Sequence, residues 1–304
     1  MSKLQPWHWR SLPLENRSGS VVFAALFRQL PVATLLESPN QASSACTPQA
    51  RYSICAGAPR WLQGHLQMWA PPAGKVLACL RYLLSKTSSR EGHPPLPFTG
   101  GWLGWLGYDL AWEIEQLPYL RQDPLPFPLA YWYEPECFAV LDHQAQQLWL
   151  AATDESQLDL MQQALLKVPV ACLDWVSPGV LLPAPIPRFH TSQADYEAMV
   201  CRAQQFIQAG DIFQANLSLR FEAHTDADAW SIYQALQQIN PAPFSSYWQT
   251  PWGAVVSCSP ERLVSLQGRQ VQTRPIAGTR SRGNTPNVDH QQAQDLLNSE
   301  KDNA

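Results

Sequence analysis

SCSPERLVSLQGRQVQTRPIAGTRSRG, residues 257–283, is the stretch on which the reading of this chain turns. It sets an acid beside a base (Glu261, Arg262), then two short runs, 263–266 and 270–273, joined through Gln267-Gly268 as a hairpin. A turn of small residues follows: Pro275, Ile276, Ala277, Gly278, Thr279. A carboxyl that comes after Pro260 at a strand end makes a general acid if an apolar approach desolvates it. A surface glutamate beside an arginine is the plain alternative. The turn offers backbone N–H groups and the Thr279 hydroxyl, which suit a carboxylate, and Arg274, Arg280 and Arg282 flank it. A tight turn among solvated charges is the plain alternative there. Beyond a polar linker, DLLNSEKDNA (295–304) reads as a helix that has only begun when the sequence ends at Ala304. It has no cap and no closing apolar face, so a fragment is expected.

Upstream, Phe213, Ala215, Leu217, Leu219 and Phe221 alternate with polar residues, which predicts a two-faced strand over 212–221. Tyr196, Val200, Ala203 and Ile207 have helical spacing, with Thr191 as the expected N-cap and Gly210 as the stop. A second helix is expected over 226–239, and further strands over 244–249 and 254–258. PGVLLPAPIPR (178–188) is rich enough in proline to place the main boundary at 178–190, dividing a region 1–180 from a region 190–304.

The N-terminal half reads as a helix within 18–30, strands over 32–38 and 51–56, and a helix over 75–84. A hairpin follows over 137–142 and 147–152, then an amphipathic helix over 155–166. Between the helix over 75–84 and the hairpin lies FTGGWLGWLGYDL (98–110). No Gly-Lys-Ser/Thr follows its glycines and tryptophans interrupt them, so a phosphate loop is excluded in favour of close packing.

Charged residues make up only 15% of the chain and the net charge is -4 with no Lys/Arg run, which argues against a nucleic-acid partner. The seven cysteines are scattered without a C-x-x-C pair, which reads as reduced thiols in the cytoplasm. The histidines form no metal signature. No run has membrane-spanning length, and the opening MSKLQPWHWR lacks a signal peptide's apolar core.

Taken together, SPERL, TRPIAGTRSRG and SEKDNA, preceded by GDIFQANLSLRF (210–221) and NPAPFSSY (240–247), resemble the chorismate-utilising enzymes. LLES at 35–38 and the 98–110 motif extend the likeness over nearly the whole chain, nearest to component I of aminodeoxychorismate synthase and close to component I of anthranilate synthase. The resemblance implies an α+β fold of two stacked, mainly antiparallel sheets flanked by helices, with chorismate and Mg2+ bound between them. It makes Glu261 the general acid that protonates the departing C4 hydroxyl of chorismate, and it assigns substrate contacts to Thr273, Gly278 and Thr279. Gln214 stands where isochorismate-forming relatives carry a lysine that activates water, which implies ammonia as nucleophile, drawn from a glutamine amidotransferase subunit. It also implies an L-tryptophan pocket at Ser38, Gln49, Ala50, Arg51, Tyr52, Pro243, Phe244 and Ser245.

Two departures stand out. Ala277 occupies the position of the lysine that forms a covalent adduct at C2 in well-known aminodeoxychorismate synthases, and PIAGT is the anthranilate synthase form. Against this, GYDL with Glu113 and the APFS segment (242–245) favour the para-aminobenzoate branch, so synthesis of 4-amino-4-deoxychorismate is the leading expectation and anthranilate the alternative. The family's metal-binding glutamates and catalytic histidine fall beyond Ala304. The 304-residue chain is therefore expected to be inactive by itself, and a non-catalytic binding remnant stays open as a further reading.

Overall fold

The computed structural model describes residues 7–38, 51–86, 94–118, 123–168 and 185–299. It divides into two compact units, Met1–Cys172 with Ile232–Ala304, and Leu173–Ser231. In chain order the larger unit opens with β1 (His8–Pro13), α1 (Gly19–Leu26), β2 (Ala33–Glu37) and β3 (Tyr52–Ala56). The short strands β4 (Trp61–Leu62), β5 (His65–Leu66) and β6 (Met68–Trp69) precede α2 (Val76–Ser85) and β7 (Leu103–Leu106). A 3-10 turn (Tyr108–Leu110) runs into α3 (Ala111–Ile114), followed by β8 (Ala130–Tyr133), β9 (Cys137–Asp142), β10 (Gln147–Ala152) and α4 (Glu155–Leu166). The smaller unit holds β11 (Arg188–Phe189), α5 (Gln193–Ala209) and β12 (Phe221–Glu222). α6 (Ala229–Ile239), β13 (Phe244–Thr250), β14 (Gly253–Ser259), β15 (Arg262–Gln267), β16 (Gln270–Arg274) and α7 (Pro286–Leu297) complete the chain.

Seven strands form one antiparallel sheet in the order β1-β10-β9-β3-β2-β13-β14, and a second antiparallel sheet has the order β6-β8-β7. Strand alternation separates two faces. Leu35, Cys55, Ala139 and Leu150 lie in one cross-strand row, on the face against which α1 and α4 pack. From the opposite face Ala56, Phe138, Val140 and Trp248 join Leu103, Tyr131 and Tyr133 of the second sheet in one buried core. Tyr133 fastens the two layers by donating its hydroxyl to Thr34 Oγ1, 2.8 Å away. The expected antiparallel sheets flanked by helices are therefore present, the second of them small.

Three expectations need correction. Residues 212–220 form no strand: among its described residues the smaller unit pairs only Phe221–Glu222 with Arg188–Phe189, and alternation yields a strand only where a neighbour takes up the backbone groups. The N-cap of α5 is Ser192, whose hydroxyl accepts from the Asp195 amide, not Thr191. The polar segment before residue 295 is itself helical. Thr285 caps it, Pro286 opens it, and α7 ends at Leu297. Gln49, Ala50, most of the proline-rich boundary and residues 300–304 of the SEKDNA motif lie outside the described residues.

Candidate functional site

The end of β2 lies between β3 and β13, and the registers Glu37↔Ser245 and Leu36↔Ile54 bring the LLES and NPAPFSS segments together. Ser38 donates its hydroxyl to the Pro243 carbonyl at 2.7 Å, and its amide reaches Ser53 Oγ at 3.3 Å. Ser245 donates to the Ala242 carbonyl at 2.8 Å, which closes the turn into β13. Phe244 is half-buried with the Arg262 guanidinium 5.5 Å from its ring centre.

Glu37, not singled out from sequence, is the centre of this region. Its side chain is only 2% exposed. It accepts from the Ser20 amide (2.8 Å) and hydroxyl (2.6 Å) at the start of α1, and from Tyr233 (2.8 Å) and Gln237 on α6. A buried carboxylate is tolerable when its oxygens are satisfied in this way. Gly19 permits the approach, since a Cβ there would lie 2.9 Å from Glu37 Oε1. An acid inside the apolar run ATLLE was the available signal.

Beside it, Ser53 Oγ lies 2.8 Å from His143 Nε2, and burial holds His143 below its ordinary pKa despite the nearby Asp142. Arg51 grips Asp142 through two nitrogens and lies over the Tyr52 ring. Burial would raise Asp142, but Arg51 and the Ala145 and Gln144 amides outweigh it and hold the carboxyl below the usual range. Of the expected tryptophan pocket, Ser38, Pro243 and Ser245 therefore meet. Arg51 and Tyr52 are joined to Asp142.

The second cluster follows β14. Glu261 Oε1 accepts from the Ile276 amide at 3.2 Å, which ties the acid to the 275–279 turn fifteen residues on. Gly278 makes that turn with φ +73°, a left-handed value that favours glycine. Glu261 is exposed, so the apolar cover expected for it is not supplied by the described residues around it. Thr273 is exposed too and donates to the Leu263 carbonyl at 2.8 Å, holding the hairpin where its register shifts between Arg262 and Ser265.

Asp289 on α7 clamps the far side of the turn. It accepts from Arg282 through two bonds of 2.7 Å and from the Gly283 amide at 2.9 Å, and these bonds hold its carboxyl down to about 2. A depressed carboxylate stabilises above its unfolded pKa, about 3.9. The clamp is thus fully present above about pH 4 and is lost as pH falls through about 2. A carbon-detected titration of Asp289 should show its midpoint near the lower value; a midpoint near 4 would mean that no clamp exists in solution.

Residues 33–304 match the model of the chorismate binding enzyme family. The chain belongs to this family. It is 52% identical over 98% of its length to an anthranilate synthase component I-like protein of Synechocystis, and 35% identical over 72% to aminodeoxychorismate synthase component 1 of Bacillus subtilis. It covers 61% and 48% of those proteins. Among solved structures, anthranilate synthase component I of Streptococcus pneumoniae matches 88% of the chain with a TM-score of 0.65 at 26% identity, and the chain covers 61% of it.

Gln214 lies in the smaller unit, exposed, with its amide 3.5 Å from Asn216 Oδ1. Ala277 is exposed on the turn and contributes only a methyl group. Among the described residues no three His, Cys, Asp or Glu gather to hold a metal ion, so they do not fit magnesium and no step is assigned to it. No described helix is long and apolar enough to cross a membrane. Cys55, Cys79, Cys137, Cys201 and Cys258 are free thiols.

Proposed function

We propose that this chain carries chorismate-binding machinery of the large subunit of a cytoplasmic synthase that aminates chorismate with ammonia. The observation that carries the reading is the 3.2 Å bond between Glu261 and the Ile276 amide, which seats a candidate proton donor on a candidate substrate turn. Glu261 gives its proton to the C4 hydroxyl as that C–O bond breaks and water leaves. Gly278, Thr279 and Thr273 hold the substrate. Gln214 cannot serve as the base that activates water, so ammonia, supplied by a glutamine amidotransferase subunit, is the nucleophile. Magnesium belongs to the same reading, on ligands other than the described residues.

The alanine methyl at 277 cannot attack carbon, so no covalent adduct forms there and ammonia adds to the ring directly. Addition at C2, toward anthranilate, is the product we favour. The Synechocystis relative is named for its likeness to anthranilate synthase component I. Glu113, which spoke for the para branch, is accounted for by its bonds to the Val76 and Leu77 amides at the uncapped start of α2. Addition at C4, giving 4-amino-4-deoxychorismate for para-aminobenzoate and folate synthesis, is the second reading, supported by the Bacillus relative and the APFS segment.

The test uses the protein purified from its native source, given chorismate, ammonium and magnesium. Anthranilate fluorescence supports the first reading and 4-amino-4-deoxychorismate by mass the second; neither product at any ammonium concentration overturns both. Glu261→Gln should lower kcat about 10²- to 10⁴-fold with the fold unchanged, and an active variant would remove Glu261 from the chemistry.

A further inference from the structure

The motif at 98–110, which the amination chemistry does not use, builds a cavity of about 500 Å³ in the larger unit. Trp105, Tyr108, Trp112 and Phe127 line it together with Asp109 and Asp123. Trp105 and Phe127 meet 6.3 Å apart at 76°, so their rings form two walls of a corner. Both walls are held from outside. The Trp105 indole donates to the Pro128 carbonyl at 3.1 Å, and the Phe127 ring rests against Gly253, where a Cβ would approach it to 3.4 Å. Gly107 keeps the corner open: its amide bonds the Leu129 carbonyl at 2.6 Å, and a side chain there would strike that carbonyl.

The charges at this corner are of one sign. Among the described residues no Lys, Arg or His lines the cavity. Asp109 is half-buried, and among the described residues neither its carboxylate nor that of Asp123 has an ion-pair partner; Asp123 accepts only from the Leu125 amide. Aromatic faces and carboxylates both attract positive charge, and a half-enclosed site weakens solvent screening. A neutral ligand would use the rings and leave both carboxylates unanswered. We propose that this cavity is a binding site for an organic cation of amino-acid size, bearing a guanidinium or alkylammonium group. The rings take the cation's face and the two carboxylates its N–H groups.

The experiment is calorimetry on the full chain at low salt, with agmatine and butylammonium chloride as probes and urea as the neutral control. Both cations should bind and urea should not. Asp123→Asn, at an exposed position that cannot disturb the core, and Trp112→Leu should each weaken agmatine about fivefold. Added salt should weaken it further. If Trp112→Leu fails to fold, the Asp123→Asn result stands by itself. No heat with either cation at millimolar concentration overturns the proposal, as does equal binding by Asp123→Asn.

Discussion

Replacing Glu37 by alanine should cost the larger unit about 4 kcal/mol, close to 10 °C in Tm, because the loss is of an acceptor shared by several buried donors. The Ser20 hydroxyl, the Tyr233 hydroxyl and the Gln237 amide would all face a space without an acceptor. Glu37→Gln should cost roughly half as much. Its amide oxygen can replace one carboxylate oxygen, but its NH2 group then meets the Ser20 N–H, another donor. Thermal melts of the three proteins decide the matter, and an alanine variant that melts within 2 °C of the parent (about 1 kcal/mol) sinks the account. The same proteins test the tryptophan pocket, since Glu37 fixes the strand end that presents Ser38. L-Tryptophan titrated calorimetrically should bind the parent and not the alanine variant. A parent that gives no heat has no such pocket.

Gly104→Ala should be nearly as damaging. A Cβ at this position would sit 1.9 Å from the Tyr131 carbonyl oxygen and 2.5 Å from Trp132 Cδ1. The first of these is backbone, so no rotamer change relieves it, and β7 must separate from β8 along the register Leu103↔Tyr133 to Leu106↔Ala130. A loss of about 3 kcal/mol follows from overpacking. Near-UV circular dichroism should also change, because Trp105 moves away from Tyr131 and Trp248, to which its ring is 4.8 and 5.7 Å. An unchanged denaturation midpoint would show that the two strands have room the structure does not give them.

Elements whose pattern is local were legible in the sequence. The helix expected over 155–166 and the hairpin over 137–152 occupy those positions, because helical spacing in the one and paired alternating runs in the other need no distant partner to be recognised. Of the glycines of the 98–110 motif, read as packing glycines, Gly104 and Gly107 each lie against a backbone carbonyl and Gly100 against Trp7, whereas at Gly101 a Cβ would meet nothing within 4 Å and the backbone takes φ +111°. The alternating run at 212–221 misled because period two reports a pleat's two faces, not the neighbour that a strand requires. The start of α7 was missed although Thr285-Pro286 is a cap followed by an opening proline.

At the candidate site, residue types were legible and partnerships were not. Glu261 and the turn stood out, but the bond between them depends on a hairpin's closure. Arg60 and Glu134, not singled out from sequence, are buried together, with Arg60 Nε 3.0 Å from Glu134 Oε2. Burial pushes that carboxyl up against the opposing pull of Arg60. Nothing in the local sequence of either residue marks it as interior, since the contact spans more than seventy positions.

The interior place of β2 in the large sheet has a further consequence for the order of events in the cell. One of its flanks is completed by β3, close behind it, but the other is β13, and the Ser38–Pro243 contact beside that flank spans 205 residues. A ribosome adding about 5–20 residues per second needs roughly 10–40 s to cover that distance. Throughout the interval the nascent chain presents an apolar strand with an open edge, the template on which chains stick to one another. Chaperone occupancy during translation should therefore rise once β2 leaves the exit tunnel and fall only after β13 has emerged.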